Sequence, residues 1–322
     1  MIPIDLITGF LGSGKTTFLK KYAGYWLRQG CKIGILENDF GAVNVDMLLL
    51  QELMGDRCEV EMIAGACDAD CHRRRFKTKL ISMGMRGFDR ILVEPSGIFD
   101  AEEFFDVLQE EPLDRWYETG NVIAVVDARL PEQLSRESEY LLASQIASAG
   151  QILLSRCQEA SEEDKAATVG HLNRVMETFQ CRRRFDREVL CKDWEQLTDA
   201  DFRQISECGY LPESYARLWF DPGKAFTSLY FMHVQLSEQE LRDTARRLME
   251  DPACGRVFRI KGFVPAGDGR WLELNATREE ITVQTVPKGQ EIVIVIGERL
   301  AEEVIKGYFR QQDPGCAGTP AE

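Results

Sequence analysis

The chain is predicted to be an α/β protein with a mostly parallel sheet, followed by a smaller α+β domain. Three observations predict it. Short apolar runs alternate with helix-compatible segments from Ile2 to Phe179, a glycine-rich turn joins the first run to the first helix, and after about Asp221 strand-like runs follow one another closely. Strands separated by helices are joined by crossovers, which make neighbouring strands parallel and cover both faces of the sheet. Strands in direct succession pair antiparallel, with helices left to one face.

Taken in order, Ile2–Thr8 is an apolar strand that ends in the glycine-rich turn. A helix follows over about Lys15–Gln29, then a second strand over Cys31–Glu37. A polar helical stretch covers about Asp70–Arg86 and precedes an apolar strand at Asp89–Val93. Asn121–Val126 consists almost wholly of β-formers, and Gln151–Leu154 is another short strand. Between them lie helical patterns at Ala101–Glu110, Pro131–Ser148 and Ser161–Phe179. In the second part, Phe226–Leu236 reads as a strand and Ser237–Glu250 as a helix. Ser237 caps that helix, and Glu240 three residues on completes a capping box. Arg256–Val264, Arg270–Asn275, Ile281–Val286 and Glu291–Ile296 read as strands, with turn signals at Ala266-Gly267-Asp268-Gly269 and Pro287-Lys288-Gly289. A last helix covers about Arg299–Phe309. The expected domains are 1–221 and 226–312, with a disordered tail at 313–322.

Lys plus Arg is 39 and Asp plus Glu is 53 in 322 residues, a net charge of −14. That balance argues against nucleic acid and against an anionic membrane surface as partners. No apolar run approaches the roughly 18–20 residues of a membrane-spanning helix. The opening MIPIDLITGF has neither a basic leader nor a small-residue cleavage site, so a cytoplasmic location is expected. Ten cysteines are sparse for a disulfide framework in a chain of this length. Cys31, Cys181, Cys208 and Cys254 read as small buried hydrophobes.

The turn after the first strand, Gly9-Phe10-Leu11-Gly12-Ser13-Gly14-Lys15-Thr16, matches G-x-x-x-x-G-K-[ST] in full, with a strand before it and a helix after. Its glycines let backbone N–H groups turn inward around phosphate oxygens, and the helix N-terminus adds its positive dipole end. Lys15 is placed to reach the β- and γ-phosphates, and Thr16 to ligate Mg²⁺. Gly9, Gly12, Ser13, Gly14, Lys15, Thr16 and Thr17 are therefore the expected phosphate site. A carboxylate at the end of a neighbouring strand should hold the Mg²⁺, and Glu94 stands there. Gly97 can offer a backbone N–H to the γ-phosphate, as a second switch would. Glu37 and Asp39, with Asp46 beyond, lie in what reads as a glycine-containing loop after the second strand, the natural first switch.

Glu37-Asn38-Asp39-Phe40-Gly41, Glu94-Pro95-Ser96-Gly97 and Val125-Val126-Asp127-Ala128, together with the loop GFLGSGKTT, resemble the CobW branch of the CobW/HypB/UreG family of P-loop GTPases. Arg259-Ile260-Lys261-Gly262 and Ile296-Gly297-Glu298-Arg299-Leu300 resemble that branch's C-terminal domain, so the likeness covers nearly the whole chain. It implies a P-loop NTPase fold and a Mg²⁺-dependent GTP hydrolase acting in metal delivery or metallocofactor assembly. The catalytic set it implies is Lys15, Asp39, Glu94 and Gly97. The implied partners are the nucleotide and a client metalloprotein or cofactor-assembly enzyme. A nucleotide-dependent homodimer leaves no readable mark in the sequence.

The chain departs from the family's pattern in two places. The family carries Cys-x-Cys-Cys between its switches. Here the segment is Gly65-Ala66-Cys67-Asp68-Ala69-Asp70-Cys71-His72. On a helix Cys67 and Cys71 share one face at i, i+4. With His72, and Asp70 as a further donor, they suit Zn²⁺, and also Co²⁺, Ni²⁺ or Fe²⁺. The second departure is the base-reading segment, Ser155-Arg156-Cys157-Gln158 in place of Asn-Lys-x-Asp. Arg156 can stack on a base, but Gln158 offers one carbonyl where the family has a carboxylate that accepts two guanine donors. The nucleotide is expected to be GTP, with ATP left open.

Other features are read blandly. Arg73-Arg74-Arg75 and Arg182-Arg183-Arg184 are expected to be solvated faces. His171 is a lone histidine, and His233, in the first strand of the second domain, is expected to be structural. The five Trp are expected in the core or between domains. The functional expectation is a GTPase whose nucleotide state sets the metal affinity of the Cys67–His72 segment. Two alternatives remain: an ATP-dependent activator or insertion factor for a corrinoid or metalloenzyme system, and a slow-hydrolysing, nucleotide-gated binding protein.

Overall fold

The computed structural model describes residues 1–38, 50–63, 69–186, 188–218, 225–267, 269–278 and 280–309, the side chains of 38, 69 and 70 excepted. The chain divides into two units, Met1–Phe220 and Asp221–Glu322. The expected tail, 313–322, lies outside the described residues.

The first unit runs β1 (Ile2–Thr8), α1 (Lys15–Arg28), β2 (Ile33–Asn38), β3 (Cys58–Ile63), α2 (Ala69–Gly84), β4 (Arg90–Pro95), α3 (Ala101–Leu108), α4 (Leu113–Trp116), β5 (Tyr117–Asp127), α5 (Arg136–Ala147), β6 (Gln151–Ser155), α6 (Glu162–Thr178), β7 (Val189–Cys191) and α7 (Asp199–Ser206). Its seven-stranded sheet has the order β3-β2-β4-β1-β5-β6-β7, and every pair is parallel. Consecutive residues such as Ile91, Leu92 and Val93, and Val122 to Val126, are buried. A parallel sheet covered on both faces demands such continuous apolar runs rather than alternation, and each fully buried side chain contributes about 1.5–3 kcal/mol. The chain leaves β1 toward β2 and leaves β5 toward β6, in opposite directions along the sheet. A crevice therefore opens outside the carboxyl ends of β1 and β5, where open α/β sheets bind ligands.

Several expected boundaries shift, each for a local reason. Helix α5 starts at Arg136 rather than Pro131, because the Ser135 hydroxyl accepts from the Ser138 N–H at 3.0 Å and caps it. Glu37 stands inside β2, not in the loop after it, since pairing with both β3 and β4 carries the strand on to Asn38. Strand β3 lies outside the strands that the sequence predicts. Its Glu59 and Glu61 pair with Lys32, Lys79 and Arg86, which hides an edge strand behind a polar composition. Strand β7 is three residues long, and α7 buries only Phe202 and Ile205, too little pattern to read. Asp5 sits buried in the middle of β1. It accepts from Tyr22 Oη at 2.9 Å and from the Asn121 N–H at 2.7 Å, and it pairs with Arg90 at 2.5 Å, tying β1 to α1, β4 and β5. Burial raises its pKa even so, against the lowering by Arg90 and these hydrogen bonds.

The second unit contains β8 (Phe226–Phe231), α8 (Glu238–Glu250), β9 (Arg256–Pro265), β10 (Trp271–Ala276), β11 (Ile281–Val286), β12 (Ile292–Glu298) and α9 (Glu302–Phe309). Its antiparallel sheet has the order β11-β10-β9-β12-β8. The Ser237–Glu240 capping box forms as expected. Leu241, Thr244, Ala245, Leu248 and Met249 make one buried stripe of α8, and with Ile305 and Phe309 of α9 the apolar ones join the core on the sheet. Strand β8 stops at Phe231, not Leu236. His233, expected within it, lies past its end with φ 59, exposed, 3.5 Å from Glu291. A left-handed backbone cannot continue a strand.

Candidate nucleotide-binding site

The loop between β1 and α1 turns on three glycines with positive φ, Gly9 at 142°, Gly12 at 75° and Gly14 at 95°. At Gly9 a side chain is excluded outright, since a Cβ there would fall 2.1 Å from the Val125 carbonyl oxygen. Inside the loop, Lys15 is buried, and its ammonium donates to the Gly9 carbonyl at 2.9 Å and to the Phe10 carbonyl at 3.3 Å. The charge is thus held at the concave face of the backbone cradle. Ser13 and Thr16 are buried beside it, and Thr17 is exposed on the next position of α1.

Thr16 Oγ1 donates to Glu94 Oε1 at 2.8 Å. Glu94 is the penultimate residue of β4, buried, and in register with Glu37 on β2, which is buried too. Two carboxylates side by side with a hydroxyl make an oxygen-rich, anionic corner of the kind hard divalent cations take. Gly97, just past β4, approaches the phosphate loop so closely that a Cβ would lie 2.6 Å from the Leu11 nitrogen and 2.7 Å from its Cα. Those are backbone atoms that cannot give way. Gln145 fixes this segment from α5, where its Nε2 donates to the Gly97 carbonyl at 3.0 Å and the Phe99 carbonyl at 3.3 Å. Nothing local in the sequence signals this task for Gln145.

The expected base-reading segment closes the other side. Arg156 follows β6 with φ 54, a left-handed backbone for a side chain that seldom adopts it. The turn sends its guanidinium back to the Gly12 carbonyl at 3.2 Å and to the Asp127 carboxylate at the end of β5. Ser155 and Cys157 are buried, and Gln158 is exposed. Trp194, which the sequence placed only in a core or interface, packs on Phe18 and lies where a Cβ on Gly14 would meet its ring at 3.3 Å.

The expected transition-metal segment is described only in part. Asp39 and Cys67 lie outside the described residues, as do Asp46 and Asp68. Cys71 is half-buried at the start of α2. His72 is buried against the Phe99 ring, with centroids 6.1 Å apart. Burial, aided by the Arg75 charge, pushes its pKa down to about 4, so the imidazole is neutral at physiological pH, the form that ligates metal. Among the described residues no group of three or more His, Cys, Asp or Glu side chains could hold a metal ion.

The arginine runs are solvated as expected at Arg74, Arg75, Arg182 and Arg184, and depart from that at Arg183. Arg73 pairs with Glu110 at 2.7 Å, a partly screened contact. Arg183, expected on a solvated face, is buried and donates to the last carbonyls of α5, Ile146 and Ala147, at 3.0 and 2.9 Å. It adds a charged donor at the helix end, where the Ile146 carbonyl also accepts from the Ala149 N–H at 3.2 Å. His171 is buried, 3.6 Å from Glu139.

Glu103, on α3 just beyond the Gly97 segment, is pushed up to about 7, first by burial, then by Asp100 and Asp106, against the lowering by Arg73. A carboxyl raised on folding favours its protonated form, so the fold is fully stable in this respect below about pH 4.5 and loses stability as pH rises through 7. Glu103→Gln is therefore expected to raise thermal stability at pH 8, by on the order of 1–3 kcal/mol, and to leave it nearly unchanged at pH 4.5. Denaturant melts at the two pH values read this directly. An equal effect at both would refute the assignment.

Zinc chaperone YjiA of Escherichia coli K12 is 32% identical over 173 residues, 51% of this chain and 52% of that protein. Zinc-regulated GTPase metalloprotein activator 1 of Dictyostelium discoideum is 25% identical over 248 residues, 66% of this chain and 52% of that protein. The chain thus spans about half the length of these curated relatives. Among solved structures, the Zn(II)-bound YjiA GTPase from E. coli covers 96% of this chain at 22% identity and a TM-score of 0.36, with 98% of that chain covered. No helix among the described residues is long and apolar enough to cross a membrane. The model of the CobW/HypB/UreG nucleotide-binding domain matches residues 3–185, more than half of the chain and the whole of the loop, strand ends and base-side turn just described, and the chain belongs to that family.

Proposed function

We propose that the protein is a Mg²⁺-dependent GTPase that couples nucleotide state to the delivery of Zn²⁺ to a client metalloprotein or cofactor-assembly enzyme. The observation that carries this reading is the joining of three groups at one point. Lys15 sits inside the backbone cradle, the Thr16–Glu94 pair lies at its rim, and Gly97 rests against Leu11. The hydroxyl and carboxylate oxygens of Thr16 and Glu94 fit Mg²⁺, which would supply charge neutralisation on the β- and γ-phosphates. Lys15 binds those phosphates and stabilises the charge that develops on them. The Gly97 N–H orients the γ-phosphate, and Gln145 holds Gly97 in place. Asp39 completes the first switch.

The cargo site in this reading is Cys67, Cys71 and His72, with Zn²⁺ favoured because relatives of this chain are described as zinc chaperones. Its donors suit Co²⁺ or Ni²⁺ as well. The contact of His72 with Phe99, two residues past Gly97, supports a coupling. A shift of the second switch on hydrolysis would move a metal ligand directly. Binding linkage requires that Zn²⁺ change GTP affinity by the factor by which GTP changes Zn²⁺ affinity. Calorimetry of GTP with and without Zn²⁺ tests this, and equal affinities would sink the coupling.

Base choice has a second reading. Arg156 is engaged by Asp127 and Gly12, and Gln158 brings no charge, which leaves room for ATP. Displacement of a non-hydrolysable GTP analogue by GTP, ATP and XTP decides between them. Gln158→Asp is expected to raise the preference for GTP over ATP by about 10- to 150-fold, the range for a hydrogen bond to a charged acceptor at about 1.5–3 kcal/mol. An unchanged ratio would place base selection elsewhere.

A further inference from the structure

We propose that Cys157 and Cys191 form an oxidation site. A peroxide-class oxidant closes it to an intramolecular disulfide, and closure draws Arg156 away from the phosphate loop.

The two thiols come from different elements brought together by the sheet. Cys191 ends β7 in register with Leu154 of β6. Cys157 lies three residues past Leu154, in the turn after β6, where its Sγ folds back onto the Leu154 carbonyl at 3.2 Å. The turn places the two Sγ atoms 2.9 Å apart. Disulfide sulfurs stand about 2.0 Å apart, so closure asks for roughly another ångström of approach. The pair is also asymmetric in the way such chemistry uses. Cys191 is exposed and open to a small oxidant, while Cys157 is buried. Burial, with Cys191 adding, pushes the Cys157 thiol up to about 12, which keeps it protonated until a partner sulfur is activated.

The chemistry balances in two steps. The Cys191 sulfur attacks one peroxide oxygen, breaking the O–O bond and giving a sulfenic acid and one water. The Cys157 sulfur then attacks the Cys191 sulfur. The S–S bond forms, the S–O bond breaks, and hydroxide leaves with the Cys157 thiol proton as a second water. Two thiols lose two electrons in all, and the peroxide takes both. A dithiol reductant reverses the reaction by exchange.

The consequence follows from sheet order. β6 lies between β5 and β7. Cys157 faces β7, whereas the guanidinium of its neighbour Arg156 reaches the other way, to Asp127 at the end of β5 and to Gly12 in the loop after β1. Pulling Cys157 toward Cys191 therefore pulls Arg156 off Gly12, and the Cys157 thiol no longer donates to Leu154. The oxidation site does not depend on which nucleotide the protein binds, or on whether it binds one.

The test uses the full chain, treated with hydrogen peroxide and then mapped by peptide mass spectrometry without reduction. A Cys157–Cys191 crosslink, two hydrogens lighter and lost on adding dithiothreitol, is expected. Amide exchange of residues 10–14 should rise about threefold or more on oxidation, and should stay at the reduced rate in Cys157→Ser and in Cys191→Ser under the same treatment. Recovery of both cysteines as free thiols, pairing of either with a different cysteine, or a crosslink with unchanged exchange in the loop would each overturn the proposal. Absence of GTP binding by the reduced protein would refute the proposed function while leaving these readouts intact.

Discussion

Lys15→Ala is expected to weaken triphosphate binding by about 10²- to 10⁴-fold, the loss of two charge-assisted hydrogen bonds at ~1.5–3 kcal/mol each. The buried ammonium lies 2.9 Å from the Gly9 carbonyl and 3.3 Å from the Phe10 carbonyl, inside the cradle in which the proposed function puts the β- and γ-phosphate oxygens. Alanine leaves the backbone cradle in place but removes the Lys15 cation held within it. Titration with a fluorescent GTP analogue measures the loss, and a thermal melt of the free protein separates it from unfolding. Affinity within threefold of the wild type in a folded variant would mean that the loop binds no triphosphate.

Glu94→Gln should lower the rate of GTP hydrolysis by about 10²-fold or more, while GTP affinity in the presence of a chelator stays nearly unchanged. Thr16 donates to Glu94 Oε1 at 2.8 Å, and an amide oxygen can accept the same bond, so local packing survives. What disappears is the negative charge that fits a divalent cation, and with it the response to Mg²⁺. Phosphate release measured across a Mg²⁺ titration checks this. A variant with the wild-type rate and midpoint would show that Glu94 serves only to position Thr16. The neighbouring Glu37 is the residue to suspect in that case, because register sets it beside Glu94.

Much of this protein is legible in its residues. The G-x-x-x-x-G-K-T turn needs its glycines, because three of them take positive φ and Gly9 packs against a carbonyl. That is local chemistry, and so it shows in local sequence. The Ser237–Glu240 box and the α8 stripe are legible for the same reason: hydrogen bonds and burial repeat at fixed short spacings. The apolar runs of β1, β4 and β5 announce a sheet covered on both faces.

Other features are invisible until distant elements meet. Glu37 reads as a switch-loop residue, yet strand pairing on both sides carries β2 through it and buries it beside Glu94. Arg183 sits in a run of three arginines that reads as solvated, and only its approach to the end of α5 gives it carbonyls to donate to. Gln145 has no motif of its own; its partners Gly97 and Phe99 lie more than forty residues away. Cys157 and Cys191 likewise stand 34 residues apart in the chain and 2.9 Å apart in space. The sequence by itself determined the phosphate loop, the two kinds of sheet and the family, because short-range geometry and burial period are written residue by residue. The tertiary structure alone decided which carboxylates, amides and thiols share a corner, because strand order and register are global choices, made by packing across the whole sheet.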